Sequence, residues 1–327
     1  MKQRESGLPF DDFRSLIASL PEGNEDIVEH TRQQMSVDLR EKPNAIASLC
    51  EWYARWSGRS PVVHRPLLTL FAGTHAIADT LDGGAQSRWL LESVTQIAEG
   101  KAVVNRLCHQ HGLGLKLFDL ALQLPVSDIS LEAALDEKSC AGTIAFGMEA
   151  IAGGSDLLSV CAIAQEVDYS ALTILSVLHE IPVASLASDL VLDEERFARL
   201  QLAIDNASPH RENPLEVLRR LGGRETAAIC GAILSARTEH VPVILGGASA
   251  LAACAVLHAQ NPDAVSHCVF ASGFADTAYN QVLQAIALPT VFEKPLSPVF
   301  GADLIMASGV VQSACKHVSA EAQATSA

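Results

Sequence analysis

The sequence predicts an α/β fold: a Rossmann-like parallel sheet flanked by helices, with a small helical lobe from the N-terminal region that the C-terminus can join. Three observations predict it. Short apolar runs end in small residues and are each followed by a helical pattern. A helix with complete start and stop signals lies between two such units. The first 60 residues carry helical patterning without a strand-like run.

In chain order, residues 9–20 and 44–56 read as helices, and residues 57–66 join this lobe to the sheet. Residues 67–71 are apolar and run into Ala72-Gly73-Thr74-His75. LKLFDL (115–120) and DLLSVCA (156–162) have the length and composition of strands covered on both faces. Residues 241–245 end at Gly246-Gly247, and residues 267–270 end at Ala271-Ser272-Gly273. Alternation with helices implies right-handed crossovers and parallel strands, so ligands belong beyond the carboxyl strand ends, where these small-residue turns fall.

The helix at 213–222 is the best specified. Asn213 is placed to cap it, Pro214 suits its first position, and Leu215, Leu218 and Leu221 form its apolar face. Glu216 and Arg220 stand at i,i+4, and Gly222-Gly223 end it. Gly153-Gly154 reads as a helix-end turn. The domain expectation is therefore a mainly helical 1–60, an α/β domain over 61–318, and a polar tail at 319–327 that frays.

Composition narrows the function. Apolar residues make up 49% and charged residues 19% of 327, which suits a folded chain with a sizeable core. A net charge of −15 opposes DNA, RNA and anionic membranes as partners, while leaving phosphate-bearing small molecules open to capture by backbone amides. The eight cysteines include no Cys-x-x-Cys pair and mostly sit in apolar runs, as reduced core thiols do. Residues 241–259 are uncharged, but Pro242 and Gly246-Gly247 divide them into strand, turn and helix, so the expected location is the cytoplasm. His109 and His111 lack the spacing of a metal site, as do His240, His258 and His267, and neither metal nor cofactor is expected.

Several segments carry a resemblance. They are SGLPFDDFR, SGRSPVVHRPLLTLFAGTHAI, GLGLKLFDLAL, CAGTIAFGMEAIAGGSDLL, NPLEVLRRLGGRETAAICGAILSARTEHVPVIL and SHCVF, in order over residues 6 to 316. Together they resemble the nicotinate-nucleotide:dimethylbenzimidazole phosphoribosyltransferase family, which makes the lower-ligand nucleotide of cobalamin. The resemblance implies a Rossmann-like domain with a small helical lobe, a homodimer, and a defined reaction. A carboxylate takes the N1 proton of a benzimidazole, whose nitrogen then displaces nicotinate from nicotinate mononucleotide.

The segments matching the family's site residues depart from its pattern. The base sits in a C-terminal Gly-Glu-Gly-Ser/Thr-Gly-Ala turn, and here Ser297-Pro298-Val299-Phe300-Gly301-Ala302 stands there, with Pro298 at the base position. Loss of a general base costs about 10²–10⁴ in rate. The family's phosphate loop is matched by residues 161–169, where Ala162 takes the acidic position, Cys161, Ala164 and Glu166 replace glycines, and Asp168 adds charge. Gly246-Gly247 replaces a strand-end Asp-Gly, and Ser272 replaces a His.

The expectation is thus a family member impaired or inactive in catalysis, serving as a partner or regulatory subunit, or as a small-molecule binder, in cobalamin synthesis. It would form a homodimer, or a heterodimer with an active paralogue, and bind nicotinate mononucleotide or a benzimidazole-like molecule. The alternative is an active phosphoribosyl (pentosyl) transferase whose carboxylate has moved to Glu166, Asp168 or Asp276, although a solvated surface role is the default for each of these. Thr74, His75, Ala162, Gly246, Gly247, Ser272 and Gly301 are the expected crevice residues.

Overall fold

The computed structural model describes residues 9–36, 39–40, 44–163, 168–187, 193–275, 277–297 and 299–325. Helices α1 (Pro9–Ala18), α2 (Glu25–Gln34) and α3 (Ala45–Ser57) precede the first strand. Asn24 and Asn44 cap α2 and α3 by accepting the backbone N–H of Ile27 and Ala47. Then follow β1 (Pro66–Ala72), α4 (Ala76–Asp82), α5 (Ala85–Ala98), α6 (Val103–His111), β2 (Gly114–Asp119), α7 (Glu137–Gly147) and β3 (Leu157–Ala162). The second half runs α8 (Tyr169–His179), α9 (Val183–Leu186), α10 (Glu194–Ala207), α11 (Pro214–Leu221), α12 (Arg224–Thr238), β4 (Val243–Leu245) and α13 (Ala248–Gln260). It closes with β5 (Cys268–Ser272), α14 (Thr277–Ala285), β6 (Thr290–Phe292) and α15 (Ala302–Thr325).

The strands form one sheet in the order β2-β1-β3-β4-β5-β6, and every neighbouring pair is parallel. Both faces are covered, which explains the continuous apolar runs. Alternate strand residues feed two separate cores. Leu158, Val160, Val243, Leu245, Cys268 and Phe270 enter one, with α7, α8, α12 and α13. Leu157, Cys161, Ile244, Val269 and Ala271 enter the other, with α3, α5, α6 and α15. The period of two is the pleat itself.

The N-terminal helices divide between these layers. Phe10 and Ile17 of α1 join the first core, while Cys50 and Tyr53 of α3 join the second beside Cys315 of α15. Asp156 fixes the entry to β3, because its two carboxylate oxygens accept the backbone N–H of His64 at 2.7 Å and of Arg65 at 2.8 Å. The polar stretch after Ser319, expected to fray, continues α15 to Thr325. Alanine, at 320, 322 and 324 there, favours helix by intrinsic propensity. All eight cysteines are buried and unpaired.

The helix at 214–221 forms, with Glu216 bound by both Arg219 and Arg220. Asn213 makes no cap bond. Its side-chain oxygen instead accepts from Arg14 of α1 at 3.2 Å. Strand β6 has no counterpart in the sequence reading, since three partly exposed residues on a sheet edge leave too short a pattern.

Candidate functional site

The carboxyl ends of β1, β3, β4 and β5 open onto a crevice with three adjoining parts. A cleft of about 380 Å³ lies directly over the strand ends, lined by Cys161, Ala162, Gly246, Gly247, Ser272 and Gly301 among others. A narrow pocket of about 40 Å³ adjoins it through Asp168 and contains Gly73, Thr74, His75, Ser249 and Glu225. An apolar slot of about 410 Å³ between α5 and α6 shares Trp89 and Ile163 with that pocket. It shares Val299 and Phe300 with the cleft. All seven residues expected at the crevice therefore line its walls.

Their roles differ. Thr74 is buried and its hydroxyl donates to the Leu122 carbonyl at 3.0 Å, so it anchors the loop after β1. Ser272 donates to Asp303 at 2.8 Å. Gly247 has φ +84° at the start of α13, a conformation that favours glycine.

His75 is different in kind. It ends the β1 turn, and its Nε2 lies 2.9 Å from Oε1 of Glu225, in the first turn of α12. The Glu225 side chain is 5% exposed and that of His75 is 16%, so the carboxylate sits behind the ring and the ring faces the crevice. Two glycines make room for it. A Cβ at Gly73 would stand 2.2 Å from Glu225 Oε2, and one at Gly223 would stand 2.0 Å from Oε1 and 2.4 Å from His75 Cε1. Gly223 thus clears space for the pair as well as ending the preceding turn. Glu225 was absent from the sequence expectations. Its only local signal is an acid two residues after a Gly-Gly, and its partner lies 150 positions away.

Burial alone would lower the His75 pKa, but the Glu225 charge and hydrogen bond outweigh it and raise the value. Burial likewise works to raise Glu225, and His75 overcomes it, leaving the carboxylate below its usual range. Each group thus favours the charged form of the other.

Asp168 corrects an expectation. Read as a solvated surface acid, it is instead partly buried and caps α8, with Oδ1 accepting the Ala171 N–H at 2.9 Å. Its Oδ2 accepts a hydrogen bond from Ser249 Oγ, in the first turn of α13. Burial raises its pKa, and the Glu225 charge adds to the effect. Of the other acids proposed, Glu166 and Asp276 lie outside the described residues, as does Pro298.

These shifts set a pH dependence for stability. The raised His75 pKa stabilises fully below its ordinary 6.5, and the gain is lost as pH rises through the folded value. The lowered Glu225 pKa stabilises fully above its ordinary 4.5, and that gain is lost as pH falls through the folded value. Both operate together between about pH 4.5 and 6.5. Glu225→Gln should therefore lower the melting temperature most in that window and least near pH 9, where neutral His75 no longer offsets the buried charge. A wild-type-to-variant difference that stays constant across the range would contradict the pair.

Fold and crevice define a Rossmann-like α/β protein of the class that receives small molecules beyond the carboxyl edge of a parallel sheet. Comparison with known proteins narrows the class. Residues 24–327 match a family model described as Phosphoribosyltransferase. The nicotinate-nucleotide–dimethylbenzimidazole phosphoribosyltransferase of Brucella melitensis is 39% identical over 322 residues, covering 94% of each chain. The protein of the same name from Rhizobium leguminosarum is 38% identical over 321 residues, again with 94% of each chain covered. The crystal structure of the Thermus thermophilus enzyme of that name superposes with a TM-score of 0.76 at 19% identity, covering 90% of this chain and 96% of its own, a likeness of fold. The chain belongs to the nicotinate-nucleotide–dimethylbenzimidazole phosphoribosyltransferase family.

Proposed function

We propose that this chain binds a planar nitrogen heteroaromatic of the benzimidazole type and is strongly impaired in phosphoribosyl transfer, acting as a binding or regulatory partner in cobalamin lower-ligand synthesis. One observation carries the reading: a carboxylate of the chain itself stands at the start of α13. The N-terminus of that helix, opened by Gly246-Gly247, offers the backbone amides and dipole that an incoming phosphate would use. Asp168 projects there and is held by Ser249. Among the described residues lining the cleft, the charged side chains are Asp168 and Asp303, with no Lys or Arg. In its ionised form Asp168 would repel an incoming phosphate.

The other side of the crevice is apolar. Trp89, Ile97, Val104, Ile163 and Phe300 line the apolar slot, and His75 adjoins it with a hydrogen-bonding ring. A flat heterocycle buries well on such walls, and one polar contact suffices to orient it.

A second reading has its own support. The 39% identity to the Brucella enzyme, and the hydrogen-bonded His75–Glu225 pair in the crevice, favour a working transferase that uses a relocated acid–base group. Incubation with nicotinate mononucleotide and 5,6-dimethylbenzimidazole, with ribazole phosphate followed by chromatography, separates the two. Impairment predicts turnover about 10²–10⁴ below that of the Brucella relative, the effect of losing a general base. Comparable turnover would overturn it in favour of the active enzyme.

A further inference from the structure

We infer that His75 is the residue that reads the ring in this crevice, presenting Nδ1 to a heteroaromatic nitrogen while Glu225 holds Nε2, so that the contact changes from donor to acceptor as the imidazole titrates. The inference rests on the ring-binding function proposed above and names its recognition group.

The geometry gives His75 one free hand. Its Nε2 is committed to Glu225 at 2.9 Å, and its Nδ1 has no hydrogen-bond partner among the described residues. Because a carboxylate accepts and cannot donate when ionised, Nε2 keeps its proton in both charge states. Titration therefore occurs at Nδ1, the nitrogen left for the crevice. With the imidazolium, Nδ1–H donates to a ring nitrogen lone pair. In the neutral ring, Nδ1 accepts from a ring N–H.

The surroundings determine where this change falls. Burial disfavours the imidazolium, and Arg224 adds to that opposition. Glu225, from the first turn of α12, and Asp168, from the cap of α8, both favour it. The pocket's hydroxyl and amide side chains, Thr74 after β1, Gln86 and Ser87 from α5, Tyr169 and Ser170 from α8 and Ser249 from α13, add no charge near neutral pH. The net effect raises the midpoint above the usual histidine value.

A consequence for the ligand follows from the chemistry alone. An azole with one N–H and one lone-pair nitrogen can satisfy Nδ1 in either state, by turning over or by tautomerising. An N-alkylated azole has only the lone pair, so it binds the imidazolium well and the neutral ring poorly. The site should prefer unsubstituted azoles increasingly as pH rises.

The test compares benzimidazole with 1-methylbenzimidazole by calorimetric titration of the full-length protein from pH 6.5 to 9, with a parallel NMR titration of the labelled histidine rings. Benzimidazole affinity is expected to hold within about threefold, whereas 1-methylbenzimidazole should lose about tenfold or more across the His75 midpoint, the loss of one charge-assisted hydrogen bond. His75→Gln, which offers a donor and an acceptor without titrating, should abolish the pH dependence for 1-methylbenzimidazole while keeping the protein folded. His75→Ala should weaken both ligands. In the ligand-free protein, the His75 midpoint should lie above the ordinary histidine value and fall in Glu225→Gln.

Parallel pH profiles for the two ligands, or unchanged affinities in His75→Ala, would overturn this inference while leaving the ring-binding function standing. So would a His75 midpoint at or below the usual value. Failure of both ligands to bind wild-type protein at any pH would overturn the ring-binding function, and this inference with it.

Discussion

Asp168→Ser is expected to raise the affinity for nicotinate mononucleotide at least about tenfold over wild type, a gain of roughly 1.4 kcal/mol. Asp168 places a carboxylate at the N-terminus of α13 through its bond with Ser249, and so occupies the ground an anion would take. At an effective dielectric of about 20, like charges roughly 4 Å apart repel by about 4 kcal/mol, and water and salt in the open cleft reduce that several-fold. Serine removes the charge, frees the Ser249 hydroxyl to donate elsewhere, and still caps α8 at Ala171, a role in which it nearly equals aspartate. The melting temperature should accordingly change little. Calorimetric titration of both proteins is the measurement. Equal nucleotide affinities would show that Asp168 does not defend the cleft.

The second large effect concerns the scaffold. Gly231→Ala is expected to destabilise the fold by about 3 kcal/mol, at the upper end of ordinary overpacking. Helices α7 and α12 cross with their backbones in contact. A Cβ at Gly231 would lie 1.9 Å from the Ile144 carbonyl oxygen and 3.1 Å from the Met148 amide, and one at Gly147 would lie 2.0 Å from the Ala228 carbonyl oxygen. Neither neighbour is a flexible side-chain tip, so a helix must shift. Gly142, also on α7, provides the contrast. A Cβ there meets nothing within 4 Å, and Gly142→Ala should stabilise by about 0.5–1 kcal/mol through helix propensity alone. Chemical denaturation of the two variants should move the midpoint in opposite directions. The crossing also bears on function, because α12 carries Glu225 at its first turn.

The strands and the pairings between them differ in how far the sequence reveals them. Strands β1, β3, β4 and β5 are legible because burial on both faces leaves uninterrupted apolar runs closed by small residues. Strand β2 is legible from LKLFDL although, at the sheet edge, it is only partly buried rather than covered on both faces. The cleft lies beyond the strand ends, and Ala162, Gly246, Gly247, Ser272 and Gly301 line it as strand-end or turn residues. Side-chain pairings across the fold were not legible. His75 and Glu225 meet because β1 and α12 lie together in space, and nothing near either residue encodes that meeting. In the sequence Gly222-Gly223 marks the end of α11, whereas in the fold the second glycine also clears the volume that the Glu225 carboxylate and the His75 ring occupy. Asp168 was recognised as hostile to phosphate, but its attachment to Ser249, 81 positions away, required the packed sheet.

On the function proposed above, one end of the crevice still accepts a flat heterocycle while the other is closed to a phosphate by an acid of the chain's own. A crystal exposed to 5,6-dimethylbenzimidazole and nicotinate mononucleotide together tests this most directly. The account predicts ring density against Trp89 and Ile163 with a nitrogen at His75, and no phosphate density beside residues 246–249. A nucleotide phosphate seated on those amides, with Asp168 turned aside, would contradict it.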